Sequence, residues 1–262
     1  MRIALAQICS SQSMIENLDA VGTTMIQAKR AGAKCIIFPE ATLASFQSRL
    51  SQVAQSPNGS WANHMATFAS QLGITNMTGI FEQTNESNDN RLHNTYLIAR
   101  PHEPLIRYRK RHLFDAGGYQ ESKHFRPGNT PVHVELGEGL TASIHICYDI
   151  RFPRDFLQAA ENGTNVHIVG ASWNNFKGGV DQWLTLTRAR AMDTGSWVIG
   201  VGQARNPKIS ERGPFGCGHS VVIAPDGSIV AQADEDPDVL YVDIDTKTVN
   251  QQRERYPLLA HQ

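Results

Sequence analysis

The sequence is short of every feature that would tie the chain to a charged polymer or a membrane. Its 24 basic and 25 acidic side chains leave a formal net charge of -1, so it lacks the basic face with which proteins hold nucleic acid or anionic lipid. The longest basic cluster, Arg107 to His112, is too short to change that. No window offers the roughly 18 uninterrupted apolar residues of a membrane span, and Arg2 to Gln7 reads as a strand that begins directly after the initiator Met, not as a leader. Cysteine is scarce: Cys9, Cys35, Cys147 and Cys217 are widely spaced and form no C-x-x-C pair. Such thiols fit a reducing compartment, and the chain reads as cytoplasmic. The histidines do not cluster with cysteine or acid at ligand spacing, and no phosphate-binding glycine motif occurs. Neither a metal nor a cofactor is expected. Disorder is excluded as well, because 40% of the residues are apolar and the net charge is close to zero.

What the sequence does have is alternation of strand-length apolar runs with segments of helical period, without linker or low-complexity stretch, over 262 residues. One continuous domain, 1–262, is the simplest organisation. After the first strand, Ile15, Leu18, Val21 and Met25 recur at helical spacing, Gly32 closes that helix, and Cys35 to Phe38 follows as a buried strand. Trp61, Met65, Phe68 and Leu72 mark a second helix ended by Gly73, and Met77 to Phe81 is the next strand. Asn85 to Arg91 reads as a polar loop. Asn94 to Arg100 and Pro104 to Tyr108 are close enough to pair as a hairpin. From residue 131 the pattern repeats, with a strand Thr141 to Ile146, a helix opening near Pro153, a strand Val166 to Val169, a helix through Trp183 to Met192 and a strand Trp197 to Val201. His219 to Ala224 and Ile229 to Ala233 flank the turn signal Asp226-Gly227. The sum is a mixed α/β protein whose sheets also carry antiparallel pairs.

Three segments each end an apolar strand with an ionisable or nucleophilic residue: Phe38-Pro39-Glu40, Tyr108-Arg109-Lys110 and His145-Ile146-Cys147. In open α/β sheets the ligand crevice lies at the carboxyl ends of strands, so groups far apart in sequence can meet there. Singly, each has a plainer reading, with Cys147 as inert core, Lys110 in a solvated basic run and Glu40 as a loop carboxylate. Together, a thiol at a strand-to-helix turn, a lysine and a carboxylate are the parts of acyl transfer through a thioester.

These motifs resemble those of the nitrilase superfamily of carbon–nitrogen hydrolases, and they occur in that family's order. They are Phe38-Pro39-Glu40, Tyr108-Arg-Lys110-Arg-His112-Leu113 and Cys147-Tyr-Asp-Ile-Arg151-Phe-Pro153. The likeness extends to Arg188-Ala-Arg-Ala191, Gly218-His-Ser220 and the Asp226-Gly227 turn, and so spans nearly the whole chain. It implies a four-layer α-β-β-α sandwich in which Cys147 is the nucleophile, Glu40 the general base and later acid, and Lys110 the oxyanion stabiliser together with the backbone amide of Tyr148. Glu121 matches a glutamate that many relatives hold beside the lysine and substrate. A neighbouring base and cation are expected to favour the Cys147 thiolate. His112 and His145 read as structural hydrogen-bonding groups, and Asp149 and Arg151 as braces of the turn.

Cys147-Tyr148-Asp149 is similar to the amidase branches, and the surrounding segments are most similar to omega-amidases and deaminated-glutathione amidases. The resemblance therefore implies hydrolysis of small linear amides, with nitriles and N-carbamoyl compounds as the alternative substrates of the same fold. A catalytically inactive binding protein of that fold is the alternative from another class. Trp173 and Asn174, in the segment Ala171 to Phe176, are expected over the nucleophile as substrate-binding residues, although Trp173 and Phe176 also suit plain packing. Many relatives have His-Trp where this chain has Gln182-Trp183. Arg188 and Arg190 read as bracing or interface residues. The family also implies a homodimer or higher homo-oligomer, with no nucleic acid, membrane, metal or cofactor as partner.

Overall fold

Period-two alternation decides how the strands stack. The computed structural model describes residues 1–84, 89–174, 176–208 and 215–261; most of the polar loop read at Asn85 to Arg91 lies outside them, as does Asn175. In chain order the first half contains β1 (Arg2–Gln7), α1 (Met14–Arg30), β2 (Cys35–Ile37), α2 (Leu50–Val53), α3 (Ser60–Leu72), β3 (Thr75–Glu82), β4 (His93–Ala99) and β5 (Ile106–Arg109). A small hairpin follows, β6 (Asp115–Ala116) and β7 (Tyr119–Gln120). The second half contains β8 (His133–Gly137), β9 (Leu140–Ile146), α4 (Pro153–Glu161), β10 (Val166–Ala171), α5 (Gly179–Thr194), β11 (Trp197–Gly202), β12 (Val221–Ile223), β13 (Ile229–Gln232), β14 (Asp238–Asp243) and α6 (Thr246–Arg255).

Two six-stranded sheets result, ordered β14-β1-β2-β3-β4-β5 and β13-β12-β11-β10-β9-β8. In each, three central strands run parallel and the flanking strands antiparallel. Ile3 and Leu5 of β1, Ile37 of β2, Ile144 and Ile146 of β9, Ile168 of β10 and Ile199 of β11 meet in one core between the sheets. Their alternate neighbours point the other way. Ala4, Ala6, Ile36 and Phe38 pack with Val21 and Met25 of α1 and Trp61 and Met65 of α3, while Val169, Ala171 and Val198 pack with Phe156 of α4 and Trp183 and Ala191 of α5. Three apolar interfaces define four layers, helix, sheet, sheet, helix, and the chain is the α-β-β-α sandwich that the motifs implied.

The helices follow their boundary signals. Ser13 caps α1, its hydroxyl accepting from the Glu16 amide, and the chain closes through Ala31 and Gly32, the latter at φ 82°. Gly73 ends α3 in the left-handed conformation, and Pro153 opens α4. The elements without a sequence signal are α2, β6, β7, β8, β14 and α6. β14 is an edge strand with one buried residue, Val242, and α6 buries only Val249, so neither repeats an apolar period strongly. Among the described residues no helix is long and apolar enough to cross a membrane.

Candidate active site

The parallel core of each sheet sends its strand ends to the same edge of the sandwich. Glu40 follows β2, Lys110 follows β5, Cys147 follows β9, Ser172 follows β10 and Gln203 follows β11. Asn94 reaches the same edge at the start of β4, which runs antiparallel, and its carbonyl accepts from the Lys110 amide at 2.8 Å. Six residues from across the sequence therefore converge at one end of both sheets.

Their side chains form a buried, tightly paired group. Lys110 Nζ donates to Glu40 Oε1 at 3.1 Å and to Glu121 Oε1 at 3.0 Å. The Asn94 amide nitrogen bridges the same carboxylates, at 2.7 Å to Glu40 and 3.2 Å to Glu121. Glu40 Oε2 accepts from the Ser172 amide at 2.7 Å, and Glu121 Oε2 from the Phe114 amide, also at 2.7 Å. Cys147 lines the same cavity as Glu40, Lys110 and Glu121, and the charges of all three act on its thiol. Glu40, Lys110 and Glu121 are all nearly inaccessible to solvent, so Glu121 is no solvated loop acid. Burial would push the lysine pKa down, yet the charges of Glu121 and Glu40 override it and hold the ammonium well above its ordinary range.

The thiol departs from the sequence expectation. Burial, followed by the negative charge of Glu40, pushes the Cys147 pKa well above its ordinary value, against the pull of Lys110. The expected resting thiolate is corrected to a neutral thiol. The physical reason is that burial withholds water from a thiolate, and the charge of Glu40 opposes a second negative charge more strongly than Lys110 favours it. A neutral thiol beside a carboxylate can still attack, provided its proton passes to Glu40 as the new bond forms.

The backbone around this group is strained at two positions. Cys147 has φ 47° and Ala41, directly after Glu40, has φ 59°; non-glycine residues in this region cost about 1–3 kcal/mol and persist only when surroundings enforce them. Asp149 supplies one enforcement. Its carboxylate accepts from the Ile146 amide at 2.8 Å, the His112 amide at 2.9 Å and the Tyr108 hydroxyl at 2.6 Å, bracing the turn as read. Gly79 supplies another, because a Cβ there would lie 2.6 Å from the Ala41 nitrogen. Gln203 Nε2 donates to the carbonyls of Glu40 and Ala41 at 3.0 and 3.2 Å. Asn94 and Gln203 escaped sequence reading, since a lone amide at a strand end carries no motif.

The remaining residues sort as follows. His112 bonds Asp155 at 2.7 Å, and His145 is buried, stacked on Phe156 and bonded to Ser143; both are structural. Arg190 braces the turn through the Ile150 carbonyl at 2.9 Å, and Arg188 bonds the Gly227 carbonyl. Arg151 does not brace the turn. It borders a cavity of about 550 Å³ whose floor is Glu40, Lys110, Glu121 and Cys147 and whose walls include Trp173, Asn174 and Phe176. Trp173 does both things suggested for it, facing the cavity while its indole N–H donates to the Gly179 carbonyl at 2.9 Å. The Asn174 side-chain oxygen is buried without a hydrogen-bond partner among the described residues. Among the described residues no group of three or more His, Cys, Asp or Glu side chains is arranged to hold a metal ion.

Comparison with known proteins gives the family of the chain. A family model described as "Carbon-nitrogen hydrolase" matches residues 2–254. A protein named only as a hydrolase in Mycobacterium tuberculosis is 39% identical over 271 residues, covering 100% of this chain and 95% of that one. A deaminated glutathione amidase of Escherichia coli O157:H7 is 27% identical, covering 99% and 96%. The crystal structure of Saccharomyces cerevisiae Nit3, described as a member of branch 10 of the nitrilase superfamily, superposes with a TM-score of 0.86 at 25% identity, covering 98% and 94%. The same yeast protein is named an omega-amidase.

Proposed function

Since the chain belongs to the carbon–nitrogen hydrolase family and is an amidohydrolase, we propose that it cleaves small linear amides bearing a carboxylate, through a thioester on Cys147. The observation that carries this reading is the Cys147 thiol lining one largely apolar cavity together with Glu40 and the Lys110 ammonium, which are themselves ion-paired. Cys147 Sγ attacks the amide carbon while its proton passes to Glu40. Lys110 and the Tyr148 amide, which sits in the first turn of a 3-10 helix and lacks an acceptor there, stabilise the oxyanion. Glu40 then protonates the departing ammonia, and afterwards takes a proton from water as it opens the thioester. Glu121 fixes the lysine and accepts from the substrate amide nitrogen, and the unpartnered Asn174 oxygen offers that nitrogen a second acceptor.

Arg151 supports the choice of substrate. It is the one arginine that lines the cavity among the described residues, and a carboxylate is the group a planar fork of donors pairs with best. The names of the relatives, deaminated glutathione amidase and omega-amidase, point the same way. On this reading residues 1–262 act as one catalytic domain without cofactor, in a reducing, cytoplasmic setting that suits four free cysteines. Ammonia release from omega-amido acids, deaminated glutathione, N-carbamoyl compounds and nitriles tests it. We expect turnover of the first two classes, a mass-detectable acyl adduct on Cys147 and an inactive Cys147→Ala; a fully active Cys147→Ala sinks the mechanism, and turnover of nitriles alone sinks the substrate class.

A further inference from the structure

Arg151 has little to set its direction. The centre of its guanidinium lies 5.1 Å from the Trp173 ring and 5.9 Å from the Tyr148 ring. Aromatic faces attract a guanidinium and shield it from water, but they do not choose which of its nitrogens points where. The direction comes from one hydrogen bond, Arg151 Nη2 to Gln182 Oε1 at 2.7 Å. Gln182 stands in the first turn of α5, its own amide donating to the Gly178 carbonyl at 3.0 Å. Among the described residues no carboxylate lies within ion-pair distance of Arg151, in contrast to Arg2, Arg107, Arg109, Arg111, Arg190 and Arg205.

The identity of the partner matters because of charge. A guanidinium has five N–H donors, so a single bond to Gln182 leaves most of them for the cavity. A glutamate at 182 would hold the same geometry but cancel the charge and repel an incoming anion. The amide is neutral, so it fixes the fork and leaves its full positive charge to a ligand. A half-buried cation without counter-ion is costly, and an anionic substrate relieves that cost.

We infer that Gln182 is a positioning residue for substrate selection, holding Arg151 so that its free donors meet the carboxylate of the amide substrate. This rests on the carboxylate reading given above for Arg151. The test compares glutaramate with pentanamide, which has the same chain length and no carboxylate, by ammonia release from the purified full chain. The wild type should favour glutaramate at least tenfold in kcat/KM, and Arg151→Met should bring that ratio close to one. Gln182→Met, of similar shape without an acceptor, should lower the ratio about three- to tenfold, and Gln182→Glu by tenfold or more. In both variants KM for glutaramate should rise far more than kcat falls. If Arg151→Met loses the preference while both Gln182 variants keep the wild-type ratio, the inference is overturned and the carboxylate reading stands. A wild type that does not distinguish the two amides overturns both.

Discussion

At the scale of single residues, the protonation of Cys147 is the feature with most consequence. In the proposed mechanism Glu40 receives the thiol proton, and its negative charge adds to burial in keeping the thiol from losing that proton to water. Replacing Glu40 by glutamine removes the receiving group and the opposing charge together. Glu40→Gln should therefore lower kcat by about 10²–10⁴-fold, the range for losing a positioned base, yet shift the pH midpoint of iodoacetamide alkylation of Cys147 downward. An unchanged midpoint would show that Glu40 is not the charge that holds the thiol neutral. Asn94 is the residue-scale partner no motif announced. Its amide is shared between Glu40 and Glu121 at 2.7 and 3.2 Å, so Asn94→Ala leaves two buried carboxylates with one donor fewer. We expect a loss of about 1–3 kcal/mol in stability, read by urea unfolding, together with lower kcat.

Elements contribute by holding strained backbone. β3 passes so close to the Glu40–Ala41 link that Gly79 has no room for a Cβ, with the nearest contacts to backbone atoms that no side-chain rotation can move. Gly79→Ala should cost about 1–3 kcal/mol as an overpacked core site, measured as a fall in Tm. Activity at a temperature where the variant is fully folded should fall as well, because the displaced atoms carry Glu40. A variant with a lowered Tm and wild-type kcat would separate the strand from the site.

Across the whole molecule, the second sheet and its helices are joined by a buried polar chain of fixed direction. The Thr194 hydroxyl donates to the Arg190 carbonyl, so it accepts from His167 Nε2; His167 Nδ1 then accepts from Ser143, whose oxygen accepts from His145 Nε2. Both histidines are neutral in this chain. Burial first, helped for His167 by Arg253 and for His145 by His167, drives the His145 pKa well below its usual value and that of His167 to about 3. The unfolded chain takes up these protons below the ordinary histidine value of about 6.5 while the native state excludes them. Stability is thus fully present above that value and falls as pH drops toward the folded pKa, by about 1.4 kcal/mol per pH unit for each histidine. Unfolding between about pH 6 and 5 should show this slope, and His167→Gln should remove one histidine's share of it; an unaltered slope would mean His167 does not carry the effect. At the same scale, Met192, Ile229, Val230 and Leu258 remain 44–48% exposed, and we propose that such exposed apolar side chains are covered by self-association. Light scattering at micromolar concentration should give twice the 28.9 kDa chain mass or more.

The sequence by itself determined the strands, the helices and the chemical groups, because apolar runs and helical period are local properties. The four layers were implied by the family resemblance, and which side chains of Ile3 to Ala6, Cys35 to Phe38 and Val166 to Ala171 face the other sheet and which face helices was decided by the fold. The ordered motifs around Glu40, Lys110 and Cys147 were legible for the same reason, each being a short run at a strand end. Tertiary structure decided what depends on distance across the sheets. It joined Asn94 and Gln203 to residues up to 193 positions away, turned the thiol neutral through burial and a carboxylate 107 residues earlier in the chain (147 − 40), and pointed Arg151 at the cavity instead of at its own turn. Edge elements such as β14 and α6 were silent because half-exposed residues bear no apolar period. Coulomb and hydrogen-bond terms act through space, and a linear sequence states the groups without stating their separation.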